Sequence, residues 1–306
     1  MSVTAARGFE AAGVHCGIKP TGAPDLALVA TSERRPVAAA GVYTINRAQA
    51  APVQITKRHL TDGHAAAVIL NSGNANAATG EPGRQDSLRT CNLAGDAIGV
   101  AGTDVLVCST GLIGHRLEMH AIATGVPKVA GDLRADLDGG HAAADAMLTT
   151  DTVRKEAVAD ATLSDGTQVV VGGMAKGAAM LAPSMATMLA VLTTDAAIQP
   201  AVLRQHLSEA IHGSFHELIV DGCTSTNDTV LVLASGAAGN DPAAATGALG
   251  EAMATVCAEL AAQMAADAEG ATKFATVRIR GARSRDDAHR AARQVAASQL
   301  VQCSLY

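Results

Sequence analysis

One threonine in this chain has the setting of a self-activating nucleophile. Thr187 follows the small residue Ala186 and precedes the apolar run Met188 to Leu192. Cleavage of the Ala186–Thr187 bond would give Thr187 a free α-amine, whose reference pKa of about 7.7 lets it act as general base for its own hydroxyl. One residue would then supply both nucleophile and base. The local composition alone also fits a plain β-strand with a buried or edge-facing threonine.

An acyl transfer also needs hydrogen-bond donors that face the oxyanion of the tetrahedral intermediate. The segment Val105 to Gly111 is typical of an apolar strand that ends in a glycine-containing turn. In such a turn the Thr110 hydroxyl and the Gly111 amide could point at one small anion. A plain turn capped by Ser109 or Thr110 is the alternative interpretation.

Charged and polar residues elsewhere could contact a substrate. Lys176 ends an apolar run, so its ammonium could reach a carboxylate or lower the pKa of a neighbouring amine, although most such lysines are solvated strand ends. Glu269 follows a long alanine-rich helical segment, where the helix dipole disfavours a carboxylate and thereby suggests a partner charge; a surface acid is the alternative. Thr149 on its own indicates a helix-ending polar turn.

The elements that would position these residues are short apolar runs and segments of helical spacing. We predict strands at Leu26–Ala30, Val37–Val42, Ala65–Leu70, Val105–Cys108, Val169–Gly172, Thr187–Leu192, Leu218–Val220, Thr229–Leu233 and Phe274–Arg280. We predict helices at Ser87–Ile98, Arg116–Ala123, Ala142–Leu148, Pro200–Ile211, Ala243–Ala266 and Ser284–Ala297. Strands mixed with helices in both halves predict a layered α/β architecture.

Composition narrows the class of protein. The 306 residues are 48% hydrophobic but only 2% aromatic, so the core must be built from small aliphatic side chains. A net charge of -6 without a basic cluster argues against nucleic-acid and membrane-surface partners and favours small-molecule chemistry. The six cysteines are scattered without metal-site spacing, and the N-terminus lacks an apolar signal core. We therefore expect free thiols, no metal and a cytoplasmic protein.

The region around Thr187 resembles the cleavage-site signature of the ornithine acetyltransferase (glutamate N-acetyltransferase) family of arginine biosynthesis. The matching residues are Met174–Gly177, Pro183, Met185–Leu189 and Thr193–Ala196. Further matches run through the chain in order: Gly8–Phe9, Ala12–Gly13, Ile18–Lys19, Asp25–Ala27, Ala40–Thr44, Asn71–Asn76, Cys108–Gly114, Thr149–Thr152 and Asp267–Lys273. The resemblance therefore spans nearly the whole chain.

This resemblance implies a sandwich of β-sheets flanked by helices and self-cleavage at Ala186–Thr187. The products would be an α-chain, 1–186, and a β-chain, 187–306, interleaved in one unit. By resemblance, Thr110 and Gly111 form the oxyanion hole, and Thr149, Lys176, Thr187 and Glu269 contact substrate.

The implied reaction moves an acetyl group from N2-acetylornithine to glutamate through an acetyl-Thr187 enzyme, without a metal or organic cofactor. Some relatives also use acetyl-CoA as donor, and the residues do not distinguish the two donors. The implied assembly is a heterotetramer of two α- and two β-chains.

Two departures from the family pattern keep other readings open. Ala179 stands where the family usually has glycine, which would matter if that position needs a positive φ. The segment 298–306 corresponds to a strand that in the family leads into a further C-terminal portion, and Gln302 and Cys303 replace its usual Lys-Thr pair. An inactive, truncated member with binding or structural capacity is therefore one alternative.

A related self-cleaving aminopeptidase is the other alternative. The threonine at position 187, where serine is expected in such enzymes, argues against it.

Two further polar groups either line the pocket or satisfy turns: Asn71, Asn74 and Asn76, and Thr226–Asp228.

Overall fold

Two stacked β-sheets organise the part of the chain that the computed structural model describes, residues 2–179 and 188–305. The strands are β1 (Phe9–Val14), β2 (Leu26–Thr31), β3 (Val37–Tyr43), β4 (His64–Ala65), β5 (Ala67–Asn74), β6 (Val105–Leu112), β7 (Lys155–Thr162), β8 (Gln168–Lys176), β9 (Leu189–Thr194) and β10 (Thr229–Ala234). The helices are α1 (Ala51–His59), α2 (Gly80–Ile98), α3 (Met119–Gly131), α4 (Leu137–Ala146), α5 (Pro200–His212), α6 (Gly247–Ala266), α7 (Arg285–Ala296) and α8 (Gln299–Ser304). One sheet has the order β1-β2-β5-β6 and the other β4-β3-β10-β9-β8-β7.

Alternation along the central strands builds the space between the sheets. Successive side chains of a strand point to opposite faces, so a strand that is apolar throughout is buried on both faces. In β9, Leu189 and Val191 join a core with residues of the other sheet, such as Leu70, whereas Ala190 and Leu192 face the opposite side. The two sheets therefore pack directly against each other through their inner faces.

Helices cover both outer faces. On the smaller sheet, Cys91 of α2 and Val126 of α3 belong to one core cluster with Ile69 of β5. On the larger sheet, Leu207 of α5 and Val256 of α6 belong to the cluster that covers the outer face. The result is four layers in the order helix, sheet, sheet, helix, which confirms the predicted sandwich.

The larger sheet contains strands from both sides of the expected cleavage position. β9 and β10, which follow residue 187, lie between β3 and β8, which precede it. β10 pairs with β3 in antiparallel and with β9 in parallel orientation, and β8 pairs with β9 in antiparallel orientation. Both halves of the chain are thus hydrogen-bonded into one sheet.

Two predicted strands were wrong. Leu218 and Val220 are half-buried and pack against the α5–α6 layer, directly after a short 3-10 helix at Phe215–Glu217, in irregular backbone. Phe274–Arg280 has an alternating pattern, but in the structure it pairs with no described strand, and Phe274 is exposed. An apolar alternation forms a strand only where a neighbouring strand accepts its hydrogen bonds.

Sequence patterns missed β1, β7 and α1 and misjudged the last segment. β1 and β7 are edge strands of the two sheets, and their sequences mix charged and small residues, which weakens the apolar signal. Residues 299–304 form the short helix α8, where the resemblance suggested a strand. No helix within residues 2–179 and 188–305 has both the length and the apolar character needed to cross a membrane.

Candidate active site

Several strand ends meet at one edge of the sandwich and bring most of the predicted site residues together. β5 and β6 run parallel, so their carboxyl ends lie side by side, and β8 ends at Lys176, which pairs with Leu189 at the start of β9. Ala186 and Thr187 lie outside the described residues. Met188, which is covalently joined to Thr187, is therefore the reference point for the nucleophile.

The backbone of Met188 is hydrogen-bonded on both sides. Its N–H donates to Asp228 Oδ1 at 2.9 Å, and its carbonyl accepts from the Thr229 N–H at 3.2 Å. Both partners belong to the chain that enters β10. The start of β9 is thus fixed at the peptide that follows the expected nucleophile.

Asn227 connects this point to the other sheet. Its side-chain Nδ2 donates to the Ser109 carbonyl at 2.8 Å and to the Ala75 carbonyl at 2.6 Å. Because Asp228 follows Asn227 directly, two consecutive residues join the ends of β5 and β6 to the start of β9. The Thr110 turn and Met188 therefore belong to one hydrogen-bonded arrangement.

Thr110 and Gly111 have the properties that an oxyanion hole requires. The Thr110 hydroxyl is buried and has no hydrogen-bond partner among the described residues. A buried polar group without a partner costs about 1–3 kcal/mol, so such groups are rare unless a ligand uses them. Gly111 has a φ of +132°, and a Cβ there would lie 2.3 Å from the Gly73 carbonyl carbon, so only glycine fits.

Lys176 is buried, which excludes the alternative of a solvated strand end. Its Nζ donates to Thr149 Oγ1 at 2.6 Å and lies 3.4 Å from Asp151 Oδ2. Burial lowers the pKa of Lys176, and the Asp151 carboxylate offsets part of that effect. The structure thus brings Thr149 and Lys176, two of the predicted site residues, into direct contact.

A buried ion cluster of Asp151, Lys155, Lys176 and Asp267 surrounds this contact, and sequence reasoning missed it. Lys155 Nζ donates to Asp151 Oδ1 at 2.7 Å and to Asp267 Oδ2 at 2.5 Å, and the Gly177 N–H donates to Asp151 Oδ1 at 2.7 Å. Burial alone would raise the pKa of Asp151, but the two lysines and the Gly177 N–H outweigh it and hold that pKa well below its usual range. Lys176 is therefore held by an anchored carboxylate.

The acid that meets a partner charge at the end of α6 is Asp267 rather than Glu269. Asp267 binds Lys155 and also accepts from the Thr152 backbone N–H at 2.9 Å. Glu269 has an exposed side chain, and its backbone N–H donates to the Ala178 carbonyl at 2.7 Å. Glu269 thus lies against the chain just after Lys176, while its carboxyl faces solvent.

The three asparagines near the end of β5 have structural roles. Asn71, Asn74 and Asn76 donate to the backbone carbonyls of Asn74, Arg116 and Gly83, respectively, so they hold the turn after β5. Ala179 is not among the described residues with a positive φ, so alanine needs no left-handed backbone there.

All six cysteines are free, as predicted.

A buried lysine, a hydroxyl without a partner among the described residues and a glycine turn, brought together at one edge of a layered α/β sandwich, are features that acyl-transfer enzymes use. The model of the ArgJ family matches residues 10–306. A curated relative, the arginine biosynthesis bifunctional protein ArgJ of Mycobacterium leprae, is 50% identical over 309 residues, covering 99% of this chain and 74% of the relative. The chain belongs to the ArgJ family and is, at that level, an acyltransferase of arginine biosynthesis.

Solved structures agree with this assignment. The chain is similar to ornithine acetyltransferase of Mycobacterium tuberculosis complexed with ornithine, with 46% identity and a TM-score of 0.56 over 60% of this chain and 95% of that chain. It also shares its fold with the L-aminopeptidase D-Ala-esterase/amidase of Ochrobactrum anthropi, described as a variant of the Ntn hydrolase fold, at 12% identity and a TM-score of 0.53 over 89% of this chain and 88% of that chain. The second likeness bears on the fold alone.

Proposed function

We propose that this chain transfers an acetyl group from N2-acetyl-L-ornithine to L-glutamate through an acetyl-Thr187 intermediate, which makes it a glutamate N-acetyltransferase. The reaction uses no metal or organic cofactor. The observation that carries this proposal is the buried Thr110 hydroxyl, which has no partner among the described residues. Asn227 and Asp228 connect the neighbouring Ser109 carbonyl to Met188, the residue bonded to Thr187. A donor without a partner beside a nucleophile is what acyl transfer requires.

Self-cleavage prepares the nucleophile in this proposal. Thr187 Oγ attacks the Ala186 carbonyl carbon, the acyl group moves from nitrogen to oxygen, and water hydrolyses the resulting ester. The products are 1–186, with a new carboxylate, and 187–306, with a free α-amine on Thr187. The interleaved order of strands in the larger sheet supports two products that remain in one core.

The length of a solved relative supports this division. The similarity to the solved ornithine acetyltransferase extends over 60% of this chain and 95% of the solved chain. Residues 1–186 likewise make up about three fifths of the 306 residues. A cut before Thr187 would therefore leave an α-chain with about the same fraction of the residues.

In the transfer itself, the Thr187 amine takes the hydroxyl proton as Oγ attacks the acetyl carbon. The Thr110 hydroxyl and the Gly111 N–H stabilise the oxyanion, and ornithine leaves with its amine protonated. Glutamate then attacks the acetyl ester with its own amine, and Thr187 is regenerated.

Lys176 and Thr149 bind the substrate carboxylate, and Glu269 contributes to binding the amino group of ornithine. The Thr110 hydroxyl, which has no partner within residues 2–179 and 188–305, and the anchored Lys176 lie at the same edge of the sandwich, which supports one shared pocket.

The same proposal covers the remaining expectations. We propose a cytoplasmic enzyme that acts on small molecules and assembles as a heterotetramer of two copies of each product, with acetyl-CoA as a further candidate donor. The match of the ArgJ family model over residues 10–306 favours transfer over the aminopeptidase and non-catalytic alternatives.

A steady-state assay with both substrates tests the transfer. A covalent acetyl-enzyme predicts parallel double-reciprocal lines when N2-acetylornithine is varied at several fixed glutamate concentrations. Intersecting lines would contradict the acetyl-Thr187 intermediate. Release of free acetate without glutamate dependence would instead support a hydrolase.

A further inference from the structure

Asp228 is a buried carboxyl that the proposed reaction does not use. It is fully buried, and its Oδ1 accepts the Met188 N–H at 2.9 Å. Its Oδ2 is also buried and has no partner at hydrogen-bonding geometry among the described residues. The Ser225 hydroxyl lies near enough to influence the pKa of the carboxyl, but it does not make such a bond. Among the described residues, one oxygen of this carboxyl therefore stays without a hydrogen-bond partner.

Other buried aspartates of this chain use both oxygens. Asp195 lies directly after β9, at the opposite end from Met188; its Oδ1 accepts the Val170 N–H at 2.8 Å and its Oδ2 pairs with Arg7 at 2.9 Å. Asp25 accepts backbone N–H groups with both oxygens. Asp228 thus differs from these two aspartates; Glu156 also has one oxygen, Oε1, without a partner among the described residues, while its Oε2 lies 3.2 Å from His141.

We propose, resting on the proposed role of Thr187, that Asp228 is a positioning residue for this nucleophile: its Oδ1 fixes the Met188 N–H, one residue after Thr187, and its Oδ2, which has no partner among the described residues, is available to a reacting polar group. Nucleophile orientation depends on placing one hydroxyl within a fraction of an ångström, and a rigid contact one bond away provides that. Asp228 acts in self-cleavage and in transfer through the same contacts.

Its protonation state suits this role. Burial raises the pKa of Asp228 to about 8, while the Met188 N–H, the Ser225 hydroxyl and the charge of Lys176 on β8 lower it in part. A neutral carboxyl offers one acceptor and one hydroxyl donor.

The test follows self-cleavage in cell-free synthesis by intact mass spectrometry over time. The proteins are the wild-type chain, D228N, D228A and the control D195A. Asparagine keeps one acceptor and one donor, so D228N should rescue cleavage to within about threefold of the wild-type rate. D228A has neither and should cleave about 100-fold more slowly. D195A removes an equally buried carboxyl from the far end of β9 and should keep the wild-type rate.

Each outcome bears on the proposal. Wild-type cleavage together with an unaffected D228A would overturn the role of Asp228 and leave the proposed function standing. An uncut wild-type chain would overturn both. If D228A fails to fold, as judged by loss of a thermal unfolding transition, the pH profile decides. Wild-type cleavage should then slow above about pH 8 while D228N cleavage does not; matching profiles would overturn the proposal.

Discussion

Two buried polar regions lie at the same edge of the sandwich and differ in whether their polar groups have partners among the described residues. In the ion cluster of Asp151, Lys155, Lys176 and Asp267, every charged group has at least one oppositely charged or hydrogen-bonding partner. Around Met188, by contrast, the Thr110 hydroxyl and Asp228 Oδ2 are buried without partners among the described residues. Satisfied groups rigidify a site, whereas unsatisfied ones mark the place where a reacting group is received.

This contrast assigns different tasks to the two regions. The ion cluster holds Lys176 in place and contributes to stability. We expect the groups that lack partners among the described residues to lower stability and to act in the proposed reaction. Substitutions should therefore separate along this line, with stability lost on one side and rate on the other.

The largest effect is expected for Lys155→Met in the ion cluster. It leaves the buried Asp151 and Asp267 carboxylates without their shared cation, which should lower the free energy of unfolding by about 3–5 kcal/mol. Chemical denaturation measures this. Arg154→Met is the matched control, because Arg154 pairs with Asp145 on the surface and should lose less than about 1 kcal/mol. Equal losses of stability in the two variants would contradict a stabilising role of the ion cluster.

Thr110→Val should instead act on rate. Valine keeps the shape but removes the free hydroxyl, so kcat should fall about 100- to 1000-fold while stability stays level or rises. The control is Thr56→Val: Thr56 is equally buried but exchanges two hydrogen bonds with Val107, at 2.7 and 2.8 Å. That variant should lose about 1–3 kcal/mol of stability and keep its kcat. A stability loss in T110V as large as in T56V would mean that the Thr110 hydroxyl has a partner.

The pH dependence of stability should have opposite signs in the two regions. Asp228 keeps a proton in the folded state up to about pH 8 that the unfolded chain releases near pH 3.8, so its contribution becomes less favourable as pH rises through this window. The Tm of D228N minus that of the wild type should therefore increase from pH 5 to 8 and level off above. A difference that does not change with pH would contradict a neutral Asp228.

Asp151 provides the opposite case. Its pKa is lowered on folding, so its contribution is present above its unfolded pKa and is lost as pH falls below about 4. The stability deficit of D151N relative to the wild type should be full at neutral pH and shrink on acidification. A deficit that stays constant down to pH 3 would count against the charged cluster.

The smallest effect on stability is expected for Glu269→Gln. The side chain is exposed, so the free energy of unfolding should change by less than about 0.5 kcal/mol. If Glu269 binds the ornithine amino group, KM for N2-acetylornithine should rise roughly 3- to 10-fold with kcat nearly unchanged. An unchanged KM would remove Glu269 from the site.

The central strands were predictable from the sequence, and the edges of the sheets were not. β2, β5, β9 and β10 are buried on both faces and consist of continuous apolar runs. β1 and β7 need fewer apolar side chains because each has only one neighbouring strand in its sheet. Phe274–Arg280 shows the reverse error, since its alternation has no pairing partner among the described strands.

The site was predictable only as far as local motifs reach. Resemblance pointed to Lys176, Thr149 and Thr110 because they stand in recognisable segments. The contact between Lys155 and Asp267 joins residues more than 100 positions apart, and no local pattern encodes it. Asp228 lies in Thr226–Asp228, a segment that the sequence marked as polar. Its proposed role depends on its burial, which appears only in the folded structure.

The most direct test of the central claim is an intact mass spectrum of the denatured protein before and after mixing with N2-acetyl-L-ornithine alone. We expect two masses that sum to the chain plus one water, with the second product starting at Thr187 and gaining one acetyl group after mixing. A single uncut mass, or an acetyl group absent from the 187–306 product, would contradict a site built around Thr187.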